Sequence, residues 1–297
     1  MSHHYTSQTY VEASANLDSA CAWLQSIGIN YSPTRLGKYR KLFEAFAKHQ
    51  QSSTLNTFAE EAIFEDWINA VHEVAEITRI FEGLNVQDNK HLVERLKKAL
   101  KGHEMYALDD KDHSGRDFGL ELSVAAKFVR SGYAVDFGHN ADIAVDIGCF
   151  KFYAECKRLK SELQIEKRIS EGLKQLVTRY EGSPHPSLAR GILVLSIGKL
   201  VNSNLGRLIA KSHVELADAA YRYNVAFINK YKLLWQIGVD SRTLGVAIIL
   251  DAPGEISTES KLVTCHEITM NNSVPVNTEN YEFLLQVAHQ IFDRKSA

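Results

Sequence analysis

No CxxC pair, no HExxH and no comparable zinc spacing occurs in the 297 residues, which sets aside a zinc knuckle and a helix-borne zinc hydrolase. The four cysteines, Cys21, Cys149, Cys156 and Cys265, are too few and scattered for a disulfide frame and read as reduced thiols in a cytoplasmic protein. No basic-then-apolar leader opens the sequence, and no apolar run approaches the ~20 residues of a membrane span, so no membrane association is expected. A P-loop, a GxGxxG following a strand and a GxSxG elbow are all missing, which argues against the common nucleotide-binding and serine-hydrolase α/β enzymes. Charge of one sign is lacking too. With 34 Lys+Arg against 36 Asp+Glu the net charge is −2, so any nucleic-acid surface must be a local patch.

What is present is the composition of a soluble globular protein, 45% hydrophobic and 24% charged, in a chain long enough for one large domain or two ordinary ones. Three stretches differ in pattern. Residues 1–105 form a mostly helical N-terminal region, with Leu17, Cys21, Leu24 and Ile27, then Leu36, Tyr39, Leu42, Phe43 and Phe46, at helical spacing. Residues 106–116 are acidic and aperiodic and read as a linker. Residues 117–297 alternate helices and strands: helix 118–131, strands 142–147 and 150–157, helix 161–180, strand 191–197, a helical region near 204–236, strand 244–250 and a closing helix 281–292. That order predicts an α/β domain with helices on both sides of a sheet. Thr34, Arg35, Lys38, Arg40 and Lys41 are polar or basic enough to touch phosphate, although a solvated helix face is the simpler reading.

The segment Ala141–Lys157 carries the most information. Two alternating runs flank Gly148-Cys149, and Gly at the first loop position suits a type II′ turn. That turn pairs Ile147 with Phe150, Val145 with Phe152 and Ile143 with Ala154, leaving one side of the hairpin wholly apolar. A slip of one residue would put charge into the core. The same register sets Asp146 against Lys151 and Asp142 against Glu155, the latter pair with Cβ atoms about 5 Å apart. Lys157 points to the same side as Glu155. Opposed carboxylates are destabilising unless a cation lies between them, and a divalent metal would serve. Asp146 lies roughly 13 Å further along and is accounted for by Lys151. The alternative is a frayed strand end at Asp142 and an ordinary solvated edge at Glu155–Lys157.

A third acid stands out on helix 118–131. Phe118, Leu122, Ala125, Phe128 and Val129 share an arc, Ser123, Lys127 and Arg130 lie opposite, and Glu121 falls inside the apolar arc. A carboxylate aimed at a core costs several kcal/mol unless it is paired, protonated or metal-bound. A buried pair with an arginine elsewhere would also satisfy it.

Glu121-Leu-Ser-Val-Ala125, then Ala141-Asp-Ile143, then Glu155-Cys-Lys157-Arg158, resembles the PD-(D/E)xK, or restriction-endonuclease-like, nuclease superfamily over about residues 117–180. Ala141 stands where that superfamily often has proline, and Gln175 and Tyr180 do not match the Gln-x-x-x-Tyr motif of its recombination-exonuclease branch. The resemblance implies a restriction-endonuclease-like mixed sheet flanked by helices. It implies a site in which Asp142, Glu155, Glu121 and the Cys156 carbonyl hold Mg²⁺ or Mn²⁺ while Lys157 assists the attacking water. The expected activity is metal-dependent hydrolysis of nucleic-acid phosphodiesters, DNA before RNA. A nuclease-fold module that binds nucleic acid or a protein without turnover is the alternative. Restriction, phage defence and repair all use this chemistry. Between residues 157 and 180 seven basic residues face three glutamates, and Arg158, Lys160, Lys167, Arg168 and Lys174 are the candidate contacts to a nucleic-acid backbone. A solvated face of Glu–Lys pairs is the competing explanation. The N-terminal helices could bind a protein partner or a second copy of the chain.

Overall fold

The computed structural model describes residues 4–6, 10–51, 61–87, 89–103, 114–201, 207–258 and 261–292. Spacing of three and four between apolar residues sets the first helices. Leu17, Cys21 and Leu24 are buried along α1 (Tyr10–Ser26), and Leu36, Tyr39 and Phe43 along α2 (Arg35–Gln51). Then come α3 (Glu61–Leu84) and α4 (Lys90–Ala99), the latter capped by the Asn89 side chain, which accepts the His91 N–H. Leu92, Leu96 and Ala99 form the buried stripe of α4.

Helix α5 (Ser114–Arg130) starts four residues earlier than the sequence pattern places it. Arg116, expected in a linker, is fully buried and donates to Glu73 on α3 at 2.6 Å. Residues 106–113, most of the expected linker, lie outside the described residues. Glu73 also accepts from Arg35 at 3.0 Å, so Arg35 is a buried structural cation and has no phosphate-binding surface to offer. The two guanidiniums hold the Glu73 carboxylate in its charged form.

Among the described residues seven strands make one mixed sheet. They are β1 (His4–Thr6), β2 (Ile143–Ile147), β3 (Phe150–Arg158), β4 (Ala189–Ser196), β5 (Leu208–Ala210), β6 (Thr243–Ile256) and β7 (Lys261–Asn272). Their order is β1-β7-β6-β4-β3-β2, with β5 alongside β6. β3, β4 and β6 are parallel, whereas β2 and β7 run antiparallel to their neighbours. The fold is therefore α/β, with a mixed sheet flanked by helices. Two short strands were not anticipated. β5 interrupts the expected helical stretch near 204–236, and β1 pairs backbone to backbone with β7 at the opposite end of the sequence. The sequence pattern marks no strand at β7 either, and β7 completes a long antiparallel pair with β6.

The sheet separates two cores. On one face Ile143, Val145, Phe152 and Ala154 pack with α1 to α5 and with α10 (Glu279–Val287), whose chain continues through a π-helical turn at Ala288–Phe292. The helical region and the sheet thus share one hydrophobic core. On the other face Ala144, Tyr153, Leu193 and Leu195 pack with α6 (Ile165–Glu181) and α8 (His213–Tyr231), while α7 (Gly198–Val201) and α9 (Leu233–Gln236) are single turns beside them. Strands buried on both faces read as nearly continuous apolar runs, as in Ile192 to Leu195. All four cysteines are free thiols, and no helix among the described residues is long and apolar enough to cross a membrane.

Candidate metal-binding site

The β2–β3 hairpin has the register that its apolar pattern requires, Ile143↔Ala154, Val145↔Phe152 and Ile147↔Phe150. Gly148 has φ 60°, the left-handed value needed at the first position of a type II′ turn. Asp146 and Lys151 form the expected cross-strand pair at 3.2 Å. The paired ladder begins at Ile143, so Asp142 lies just before it. Its side chain extends the pairing in place of the backbone, Oδ2 accepting the Cys156 N–H at 2.7 Å.

Glu155 is 1% exposed, on the face covered by α6. Arg179 of α6 donates to its Oε1 at 2.8 Å, while Oε2 has no hydrogen-bond partner. Burial, and then the charge of Asp142, raise the Glu155 pKa to about 7 against the pull of Arg179. Lys157 stands between the acids. Its Nζ lies 3.8 Å from Glu155 Oε2 and 4.0 Å from Asp142 Oδ2, and donates to the Cys156 carbonyl at 3.1 Å. The ammonium therefore already touches three of the oxygens that the family resemblance assigns to a metal. The Cys156 thiol turns into the opposite core, where burial raises its pKa well above the usual thiol value, so only its carbonyl serves this site.

Glu121 of α5 reaches the same cavity, but Arg95 of α4 holds it, Nη1 to Oε2 at 3.1 Å. A partly buried pair with an arginine is thus present. Burial and the nearby Asp142 still raise the Glu121 pKa to about 8. Two of the three acids are therefore short of positive charge even with Arg95, Lys157 and Arg179 in place, which is the electrostatic setting that a further cation would relieve. Among the described residues no three acidic, histidine or cysteine side chains stand close enough to hold an ion as they are placed. The oxygens that do converge are those of Asp142, Glu155 and the Cys156 carbonyl, a hard set suited to Mg²⁺ or Mn²⁺, with Glu121 held apart by Arg95.

A cavity of about 360 Å³ opens here, beyond the open end of the hairpin. Asp117 and Glu121 of α5 line one wall, and Arg168, Glu171, Lys174 and Gln175 of α6 the other. Helix α6 comes this close because Gly172 faces the sheet, where a Cβ would lie 2.4 Å from Leu193 Cδ1 and 3.5 Å from Lys157 Cγ. The five backbone-binding candidates separate. Arg158, Arg168 and Lys174 line the cavity, although Arg168 is also tied to Glu171 at 3.3 Å. Lys167 is exposed and pairs loosely with Glu171, and Lys160 pairs with Asp117 at 3.7 Å. Arg158 is largely buried at the end of β3, between that cavity and a polar cluster that includes His72, Glu76 and Asp251.

Sequence reasoning singled out neither Arg95 nor Arg179 as a site residue. Both carried a signal like that of Glu121, a charge on an apolar stripe: Arg95 among Leu92, Leu96 and Ala99, Arg179 beside Leu176 and Tyr180. Comparison with protein-family models, with curated proteins and with solved structures returned no match.

Proposed function

We propose that the chain is a metal-dependent nuclease of the PD-(D/E)xK kind, hydrolysing phosphodiester bonds of nucleic acid, DNA before RNA, with Mg²⁺ or Mn²⁺. The observation that carries this reading is the convergence of Asp142, buried Glu155 and the Cys156 carbonyl on the Lys157 ammonium, with Asp142, Cys156 and Lys157 lining an open cavity. Asp142 and Glu155, with that carbonyl, would hold the ion, and Glu121 would join through its surroundings. When bound, such an ion supplies Lewis-acid polarisation of a phosphoryl oxygen and an acidified water.

The protein's own groups divide the remaining work. The Cys156 N–H fixes the Asp142 carboxylate, and Arg179 fixes Glu155 while leaving Oε2 directed at the site. Lys157, once off those oxygens, is placed to steady charge growing on a phosphate and to orient the attacking water. Arg168 and Lys174, on the α6 wall, would meet the nucleic-acid backbone, where each such contact adds to a salt-dependent affinity. Phage defence and restriction are settings that use this chemistry, and a partner protein or second copy on the N-terminal helices would supply targeting.

The test is cleavage of labelled DNA and RNA by the full chain with Mg²⁺ or Mn²⁺. Asp142→Ala, Glu155→Ala and Lys157→Ala are each expected to abolish it while leaving the circular dichroism spectrum and fold intact. Wild-type protein that cuts neither substrate would remove the enzymatic reading.

A further inference from the structure

Arg95 makes four hydrogen bonds through the two terminal nitrogens of its guanidinium. Nη1 donates to Glu121 Oε2 at 3.1 Å and to the Asp142 carbonyl at 2.8 Å, and Nη2 donates to the carbonyls of His139 and Ala141, both at 3.1 Å. Three of the four acceptors lie in the 139–142 turn, the segment that delivers Asp142 to the start of β2. Other contacts reach that turn, the His139 N–H donating to the Asp136 carbonyl at 3.3 Å, the His139 ring lying against Tyr153 and Ala141 buried in the core, but Arg95 takes three of its backbone carbonyls at once. Within it the Ala141 N–H is bonded to His139 Nδ1 at 2.9 Å, and strand pairing begins only at Ile143. The Arg95 side chain is 14% exposed and sits on a helix anchored by Leu92, Leu96 and Ala99.

We infer that Arg95 is a positioning residue of the proposed site. From the N-terminal helical region it clamps the 139–142 turn, so that the Asp142 carboxylate stays on the Cys156 N–H, and it holds Glu121 at the cavity wall. This inference rests on the nuclease reading for its functional meaning, but the clamp itself is a statement about this chain alone. A guanidinium satisfies the four acceptors because its nitrogens are planar and forked. A lysine ammonium keeps the charge near Glu121 and cannot span the three carbonyls in the same way. The site is then not contained in the hairpin and α6. It needs α4, which the sequence places in another region.

The experiment compares wild type, Arg95→Ala and Arg95→Lys in the full chain by three readouts: thermal unfolding, residue-resolved amide exchange at Cys156, and Mn²⁺ titration by calorimetry. Residue-resolved exchange at Cys156 reads the Asp142 contact directly and needs no metal. In Arg95→Ala the Cys156 amide is expected to exchange at least about tenfold faster while Ala154 and Phe152 stay protected, and Mn²⁺ affinity to fall about tenfold or more, as for groups that orient metal ligands. N-methylguanidinium should restore part of both. Arg95→Lys should show the same loss at Cys156 despite its charge, and it carries the comparison if the alanine variant fails to fold. Unchanged Cys156 exchange in folded Arg95→Ala or Arg95→Lys overturns the inference. Wild type that binds no Mn²⁺ overturns the metal reading instead, while the exchange arm still decides the clamp.

Discussion

Replacing Lys157 by methionine keeps most of the side chain's length and removes one ammonium from the three oxygens it touches. In the structure that ammonium lies 3.8 Å from Glu155 Oε2 and 4.0 Å from Asp142 Oδ2, and its side chain is 11% exposed. A cation entering the site must displace these attractions. Together they amount to roughly 2 kcal/mol at the dielectric of water, and about 8 kcal/mol at an effective value of 20. The cavity is open to solvent, and without Lys157 the two acids repel one another and hold protons more firmly. The lower figure is therefore the appropriate one. It corresponds to a Mn²⁺ dissociation constant about 30-fold smaller. Glu155, with a pKa of about 7, and Glu121, at about 8, hold protons more firmly without Lys157, so calorimetry at pH 8 in two buffers of different ionisation enthalpy separates proton release from the gain. Lys157→Met is thus expected to bind Mn²⁺ more tightly than wild type and to cut nothing. Equal or weaker binding by a variant that retains its fold would refute the idea that the ammonium occupies the cation's place.

Two other buried charges give predictions about the fold. Arg116, fully buried on Glu73, should cost about 3–5 kcal/mol when changed to methionine, because Glu73 then keeps only Arg35 as a buried partner; urea unfolding measures it, and a loss below about 1 kcal/mol would contradict the reading. His266 is 5% exposed beside Asp251, and burial, then the charges of Lys127 and Arg79, lower its pKa to about 3. The unfolded chain binds this proton below about pH 6.5, so stability should fall as pH drops from about 6.5 toward 3, by a few kcal/mol in all from this group. His266→Gln should flatten that part of the profile relative to wild type, and a wild-type-to-variant difference constant across the window would rule the assignment out.

The polar side of α5 shows how far a helical wheel can be read. The spacing correctly puts Leu122, Ala125 and Phe128 in a core and marks Glu121 as a charge that needs a partner. It also sets Ser123 and Lys127 opposite that arc, the side a lone helix would turn to water. The structure covers them instead: Ser123 is 7% exposed and borders the polar cluster with His72, Asp251 and His266. Lys127 has its pKa lowered to about 8 by burial and by Arg79. A wheel reports the side that is apolar, but whether the opposite side meets water depends on a second layer, here α3, β6 and β7.

Local chemistry settled the hairpin. Period-two alternation and a glycine at the turn leave one register that keeps charge out of the core, so the pairing of Ile143 with Ala154 followed from the sequence, as did Asp142 and Glu155 lying near one another. The same local rules mark a charge on an apolar stripe, yet they do not say what it meets. That Glu121 meets Arg95 across 26 residues, that Arg179 meets Glu155 across 24, and that residues 4–6 close the sheet on β7 were decided by tertiary packing. The reason is physical: a buried ion is stable only beside its counter-charge, and which counter-charge arrives depends on how distant helices stack, a quantity that no window of neighbouring residues contains.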